Sequence, residues 1–153
     1  MQQVRTEFLL KVEFEVLEIT DVGKTPTGNR RIARVTDGHF EGPKLKGNAL
    51  PGPGGDWLNF TPDGATRLDV RVTLKTDDGA LIYMTYTGVR HGTPEVMARL
   101  AAGEEVDPSE LYFRIAPRFE TGDERYDWLN RIVCVGTGHR LPTGPVYTIY
   151  QIL

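Results

Sequence analysis

Only one cysteine occurs in this chain, Cys134, so an intrachain disulfide is excluded. It lies in the apolar run Ile132-Val133-Cys134-Val135, where a thiol behaves as a small buried hydrophobe. A reactive thiol would want an electropositive, partly open setting instead. Serine is equally scarce. Ser109 is the single one; it follows Asp107-Pro108 and reads as a turn or cap, which removes serine-nucleophile chemistry. His39, His91 and His139 are scattered, share no ligand spacing and have no cysteine partner, so no metal site is expected. Gly52-Pro53-Gly54-Gly55 lacks the lysine and following helix of a phosphate-binding loop, and Gly136-Thr137-Gly138 ends a strand without opening a helix. No cofactor is expected.

Long apolar runs are also missing. No stretch approaches the ~18 residues of a membrane span. Met1 to Glu7 has no positive segment leading into an apolar core, so no secretory leader is expected and a reducing cytoplasm is the expected compartment. A basic face is absent too: the net charge is −3, and the one local basic cluster is Arg30-Arg31-Ile32-Ala33-Arg34. Three arginines do not make a nucleic-acid groove, and the run reads as a solvated strand end. With 153 residues and no linker or repeat, residues 1–153 form one domain, large enough to fold without disulfides.

What is present is strand and turn. Arg67 to Lys75 alternates Leu68, Val70, Val72 and Leu74 with Asp69, Arg71 and Thr73. Thr61-Pro62-Asp63-Gly64 precedes it, Asp77-Asp78-Gly79 follows it, and Ala80 to Thr87 supplies the return strand of a hairpin. Phe8, Leu10, Val12, Phe14 and Val16 form an apolar row on a long first strand, with Leu9 breaking its polar side. Thr25 to Asn29 is a turn, Arg30 to Thr36 a short strand, and Asp37-Gly38 a further turn. Residues 42–55 hold five glycines and three prolines, which predicts a loop or bulged edge. Leu111 to Phe119, Trp128 to Val135 and Val146 to Ile152 read as later strands. One helix is marked by Thr93 as N-cap, Pro94 at its first position, the stripe Val96, Met97, Leu100, and Gly103 just past its end. Its simplest role is to cover an open end of the sheet. The whole is all-β: a closed or nearly closed antiparallel β-barrel of about nine strands with one short helix, a two-sheet sandwich being the alternative.

Every strand of a small barrel has an inner and an outer face. If Leu68 to Leu74 point inward, the lumen is a packed core, and Asp69 and Arg71 form an exposed pair worth at most ~1 kcal/mol. If the other row points inward, Asp69, Arg71 and Thr73 line a polar cavity. Alternation alone favours the packed core. Trp128 and Asn130 on one predicted face, and Tyr112 and Arg114 on another, are the mixture expected of a small-molecule pocket or of core and interface aromatics with satisfied polar tips.

Several strings follow one another in a familiar order: Gly28-Asn29-Arg30-Arg31, Gly38-His39-Phe40-Glu41-Gly42-Pro43, Gly54-Gly55-Asp56-Trp57 and Leu68-Asp69-Val70-Arg71. Thr76-Asp77-Asp78-Gly79, Pro117-Arg118-Phe119-Glu120-Thr121-Gly122, Tyr126-Asp127-Trp128-Leu129-Asn130 and Val135-Gly136 continue it. Over about residues 7–152 the chain resembles the bacterial and fungal family known as domain of unknown function 3237, or uncharacterised protein family 0311. The resemblance implies a lipocalin-like or allene-oxide-cyclase-like barrel, often a homo-oligomer, with no assigned biochemical role. Its retained polar positions fall on Asp56, Asp69, Arg71, Glu120, Trp128 and Asn130. That raises the polar-lumen arrangement to parity with the packed core or slightly ahead of it, with a buried network fixing strand register as the alternative.

Three functional expectations stand side by side. In the first, the barrel is a cofactor-free lyase, cyclase or isomerase acting on a small aromatic or polyketide-like metabolite. Asp69 or Glu120 is its general base, and Arg71, with Arg31 or Arg114, holds a carboxylate or enolate oxygen. Asp56, Trp57, Tyr83 and Trp128 belong to the ligand-binding wall, and Asn130 orients the ligand. The second is a non-catalytic carrier of a small hydrophobic ligand; the third is a purely structural oligomer. Convergence of Asp69, Arg71 and Glu120 in one cavity separates them.

Overall fold

The computed structural model describes residues 2–153. Nine antiparallel strands pair around a closed ring: β1 (Thr6–Thr25), β2 (Gly28–Glu41), β3 (Lys46–Ala49), β4 (Gly55–Phe60), β5 (Thr66–Thr76), β6 (Leu81–His91), β7 (Tyr112–Glu120), β8 (Cys134–Leu141) and β9 (Gly144–Ile152). β1 pairs with both β2 and β9. Between β2 and β5 the short strands β3 and β4 lie end to end, each pairing with both neighbours. The helix α1 (Pro94–Ala101) follows β6, and a 3-10 segment, Glu124–Arg131, follows β7. Among the described residues, no helix is long and apolar enough to cross a membrane.

The hairpin of β5 and β6 has the predicted alternation, and its turns share a local device. In Thr61-Pro62-Asp63-Gly64-Ala65 and again in Thr76-Asp77-Asp78-Gly79-Ala80, the threonine N–H donates to the alanine carbonyl, and the threonine hydroxyl sits on the aspartate carboxylate. Gly64 and Gly79 take φ of 84° and 93°, which a side chain would resist. Leu68, Val70, Val72 and Leu74 are buried in the lumen together with Ile82, Met84 and Tyr86 of β6. The polar row of β5 therefore faces outward, and the polar-lumen arrangement does not hold. Turning it inward would strand four aliphatic side chains in water and bury Asp69 and Arg71 together.

Other expectations are corrected in detail. Asp37-Gly38 is no turn: β2 runs through it to Glu41, opposite a β1 of 20 residues, and the strands absorb the excess by register shifts such as that between Glu15 and Val16. A further shift between Phe8 and Leu10 opposite β9 buries Leu9 and Leu10 together and leaves Phe8 outside. The glycine-rich stretch 42–55 contains β3; at Gly47 a Cβ would collide with the Lys75 carbonyl oxygen, so only glycine lets β3 lie against β5. Trp128 to Val135 does not form a strand. Asp123 caps the 3-10 segment by accepting the Arg125 N–H, and β8 begins only at Cys134. Cys134 is buried, as expected, and burial pushes its thiol up to about 11.

The two ends of the ring differ. The 3-10 segment closes one end with Tyr126 and Leu129, which join the main core, while Tyr126 Oη donates to Asp78 at 2.8 Å. α1 lies at the other end. Its Val96, Met97 and Leu100 form a separate small cluster with Val106 and Leu111. Thr93 Oγ1 accepts the Val96 N–H at 3.3 Å, as the capping signal predicts.

Candidate functional site

Beneath α1 the lumen is not filled. A cavity of about 200 Å³ remains. Met97, Leu100 and Ala101 of α1 line it on one side, and Ile19, Leu58 and Phe60 continue that apolar wall from β1 and β4. Asp56, Arg31, Arg90, Arg140, Tyr86 and Tyr147 supply its polar groups, from five different strands.

Asp56 is the centre of this group. It is only 8% exposed, and burial, the largest influence, pushes its carboxyl from 3.8 to about 6 against the opposing pull of Arg90 and Arg140. Its position follows from a break in the β4–β5 ladder. Gly55 pairs with Arg71 and Asp56 with Val70, but pairing resumes only at Asn59 and Arg67. In the gap the Asp69 N–H donates to Asp56 Oδ1 at 3.1 Å, fixing the carboxylate through one oxygen. Among the described residues the other oxygen has no hydrogen-bond partner.

Arg90 and Arg140 reach the cavity from the far ends of β6 and β8. Arg90 Nε is buried without a hydrogen-bond partner, and its guanidinium lies 5.4 Å from the Phe113 ring centroid. Arg140 donates to the Leu141 carbonyl at 2.5 Å. Burial pulls both guanidiniums down from their ordinary value, yet an arginine so placed stays protonated. Neither forms an ion pair with Asp56 among the described residues, although each acts on its carboxyl. Tyr147 is fully buried against Tyr86, with ring centroids 5.1 Å apart, and among the described residues its O–H finds no acceptor. Burial raises both phenols, so each remains an O–H donor. Arg31 stands 3.3 Å from Asp21 and 5.1 Å from the Phe60 ring centroid. A carboxyl near neutrality beside two guanidiniums and an unsatisfied phenol can move a proton and stabilise a developing oxyanion.

The structure brings together two of the residues singled out from sequence, Asp56 and Arg31. The others lie elsewhere. Asp69 and Arg71 stand on the outer face 3.8 Å apart, each about half exposed, where such a pair contributes little. Arg71 lies over Trp57, which also faces outward, at 5.3 Å. Glu120 and Tyr83 are exposed partners across β6 and β7. Arg114 lies over Tyr112 on the outside, at 4.9 Å. Trp128 packs on the closed end beneath Lys44 Nζ. Asn130 exchanges two hydrogen bonds with the Thr121 backbone, at 2.8 and 2.9 Å, which holds the 3-10 segment to the end of β7. Asp69, Arg71 and Glu120 thus do not converge. Each faces solvent because its strand parity places aliphatic neighbours in the lumen.

Sequence reasoning missed Arg90, Arg140, Tyr86 and Tyr147. A signal for them existed. Ile82, Met84, Tyr86, Gly88 and Arg90 share one parity on β6, as do Cys134, Gly136, Gly138 and Arg140 on β8. An arginine ending an otherwise apolar or glycine row points into the lumen.

Residues 4–152 match a family model described as a protein of unknown function, DUF3237. An uncharacterised UPF0311 protein of Rhodopseudomonas palustris is 34% identical over 150 residues, covering 98% of this chain and 97% of that protein. The crystal structure of a conserved R. palustris protein of unknown function superposes with a TM-score of 0.96 at 33% identity, covering 100% of both chains. A β-barrel-like protein from Acinetobacter baumannii superposes with a TM-score of 0.84 at 39% identity, covering 100% of this chain and 98% of that one. An enzyme from Penicillium herquei shares the fold at a TM-score of 0.76 and 22% identity, covering 100% and 97%.

Proposed function

The chain belongs to the protein family of unknown function DUF3237, and we propose that its barrel binds a small organic molecule beneath α1 and performs proton-transfer chemistry on it. One observation carries the reading: a buried carboxylate, held through a single oxygen, shares a cavity of apolar walls with a buried Arg90 Nε and a Tyr147 hydroxyl that find no acceptor among the described residues. Unsatisfied buried polar groups cost about 1–3 kcal/mol each, and a bound ligand is what would satisfy them. Asp56 takes or returns the proton, Arg90 and Arg140 hold the oxygen on which charge develops, and Phe60, Leu58 and Leu100 enclose the apolar body. Isomerisation, cyclisation and lyase chemistry on an aromatic or polyketide-like metabolite all proceed by such steps.

A carrier without turnover is the second reading, favoured by the largely apolar wall. One experiment addresses both. A library of small ring compounds is screened by thermal shift against the wild type and Leu58→Trp, whose indole would occupy the cavity. Compounds that stabilise the wild type alone place binding in the cavity. They are then incubated with wild type and Asp56→Asn and followed by mass spectrometry. Conversion by the wild type alone establishes the enzyme; binding without conversion establishes the carrier. A screen in which both proteins respond alike removes the cavity from consideration.

A further inference from the structure

The charges lining the cavity do not balance. Three cations, Arg31, Arg90 and Arg140, face it against one carboxylate, Asp56. Arg31 is answered by Asp21 at 3.3 Å. Arg90 and Arg140 remain, with Asp56 alone to oppose them, and neither is ion-paired to it among the described residues. The remainder is one positive charge, carried by two partly buried guanidiniums. Arg90 Nε and Tyr147 Oη, both donors, are buried there without acceptors. A neutral ligand would leave that charge without a counter-charge.

Resting on the small-molecule reading above, we infer that the ligand is an organic monoanion, a ring-bearing carboxylate or enolate, with its oxyanion between Arg90, Arg140 and Tyr147 Oη and its ring against Phe60, Leu58 and Leu100. Size agrees with this assignment. A cavity of about 200 Å³ falls below the ~300–1,000 Å³ of drug-sized pockets and suits one or two rings. A lipid chain or peptide exceeds it. The donors also suit an oxyanion: guanidinium N–H groups and a phenol are the pattern that recognises carboxylates and enolates, through charge-assisted bonds about twice as strong as neutral ones.

The test is calorimetric titration of the wild type, at about pH 7.5, with benzoate and 2-naphthoate beside benzamide and 2-naphthamide, which keep the shape and lose the charge. The acids are expected to bind at least about tenfold more tightly than the matching amides. In Arg90→Met that preference should collapse while amide affinity holds; Arg140→Met provides the same comparison if the first variant does not fold. Amides binding as tightly as acids to the wild type would overturn the monoanion assignment and leave the small-molecule reading intact. No binding by any of the four would overturn the assignment, and a screen in which no compound distinguishes wild type from Leu58→Trp would overturn the reading beneath it.

Discussion

At the scale of single residues, Asp56 is the side chain whose chemistry and stability pull in opposite directions. A carboxylate raised by burial to about 6 makes the fold more stable when protonated. Its contribution is complete below the ordinary value of 3.8 and is lost as pH rises through about 6, a difference on the order of 3 kcal/mol. Above neutrality the protein therefore carries a charge that weakens it, as sites kept for function do. Asparagine retains the oxygen that accepts the Asp69 N–H and removes the charge. Asp56→Asn should thus be more stable than the wild type by on the order of 2 kcal/mol at about pH 7.5, and indistinguishable from it near pH 4. Paired denaturant titrations at the two pH values measure this. A variant less stable at both would make the carboxylate a strut for the interrupted β4–β5 ladder, and the acid–base role would fall.

At the scale of elements, the 3-10 segment Glu124–Arg131 shows how a polar residue can be prominent for architectural reasons. Asn130 ties the Thr121 N–H and carbonyl with both ends of its amide, and Tyr126 anchors on Asp78. Asn130→Ala should lower unfolding stability by about 1–2 kcal/mol and leave the affinity for any cavity ligand unchanged, since the segment sits at the opposite end of the ring from α1. Chemical denaturation and the calorimetric titration on one preparation check both halves. Loss of binding without loss of stability would return Asn130 to the ligand wall. The same element shows what a sequence can and cannot disclose. The β5–β6 hairpin was legible because strict alternation and two Thr-x-Asp-Gly-Ala turns agree at every position. The α1 boundaries were legible from Thr93, Pro94 and Gly103. Trp128 to Val135 was misread because its apolar residues also suit a strand, and only the long-range bond from Asn130 to Thr121 decides otherwise. Asp56 lies on β4, a six-residue strand without alternation, so nothing local says which way it points. Arg90 and Arg140 were readable by parity, but only once the closed ring is known does that parity mean a lumen.

At the scale of the whole molecule, the ring has a firm end and a loose one, and the cavity belongs to the loose one. β5 and β6 pair over ten residues and contribute Val70, Val72, Leu74, Ile82 and Met84 to the main core. α1 has eight residues, too few for an isolated helix to persist, and rests on a separate cluster of Val96, Val106 and Leu111. Beyond Val16 the strand β1 pairs with β2 alone, leaving Leu17, Ile19 and Val22 more than half exposed, and Ile19 borders the cavity. Local opening should follow this division, because segments with few buried apolar contacts open well below the global unfolding free energy. In hydrogen exchange, the amides of α1 and of Leu17 to Thr25 should exchange first among the ordered segments, and those of Val70 to Leu74 and Ile82 to Tyr86 last. A saturating cavity ligand should slow the first group and leave the second unchanged, since it bridges α1 and β1 to the barrel wall without touching the far core. Equal protection of α1 and Val72, unaltered by ligand, would show that the helix is a fixed part of the wall. Exchange of ligand would then have to proceed through another face of the ring.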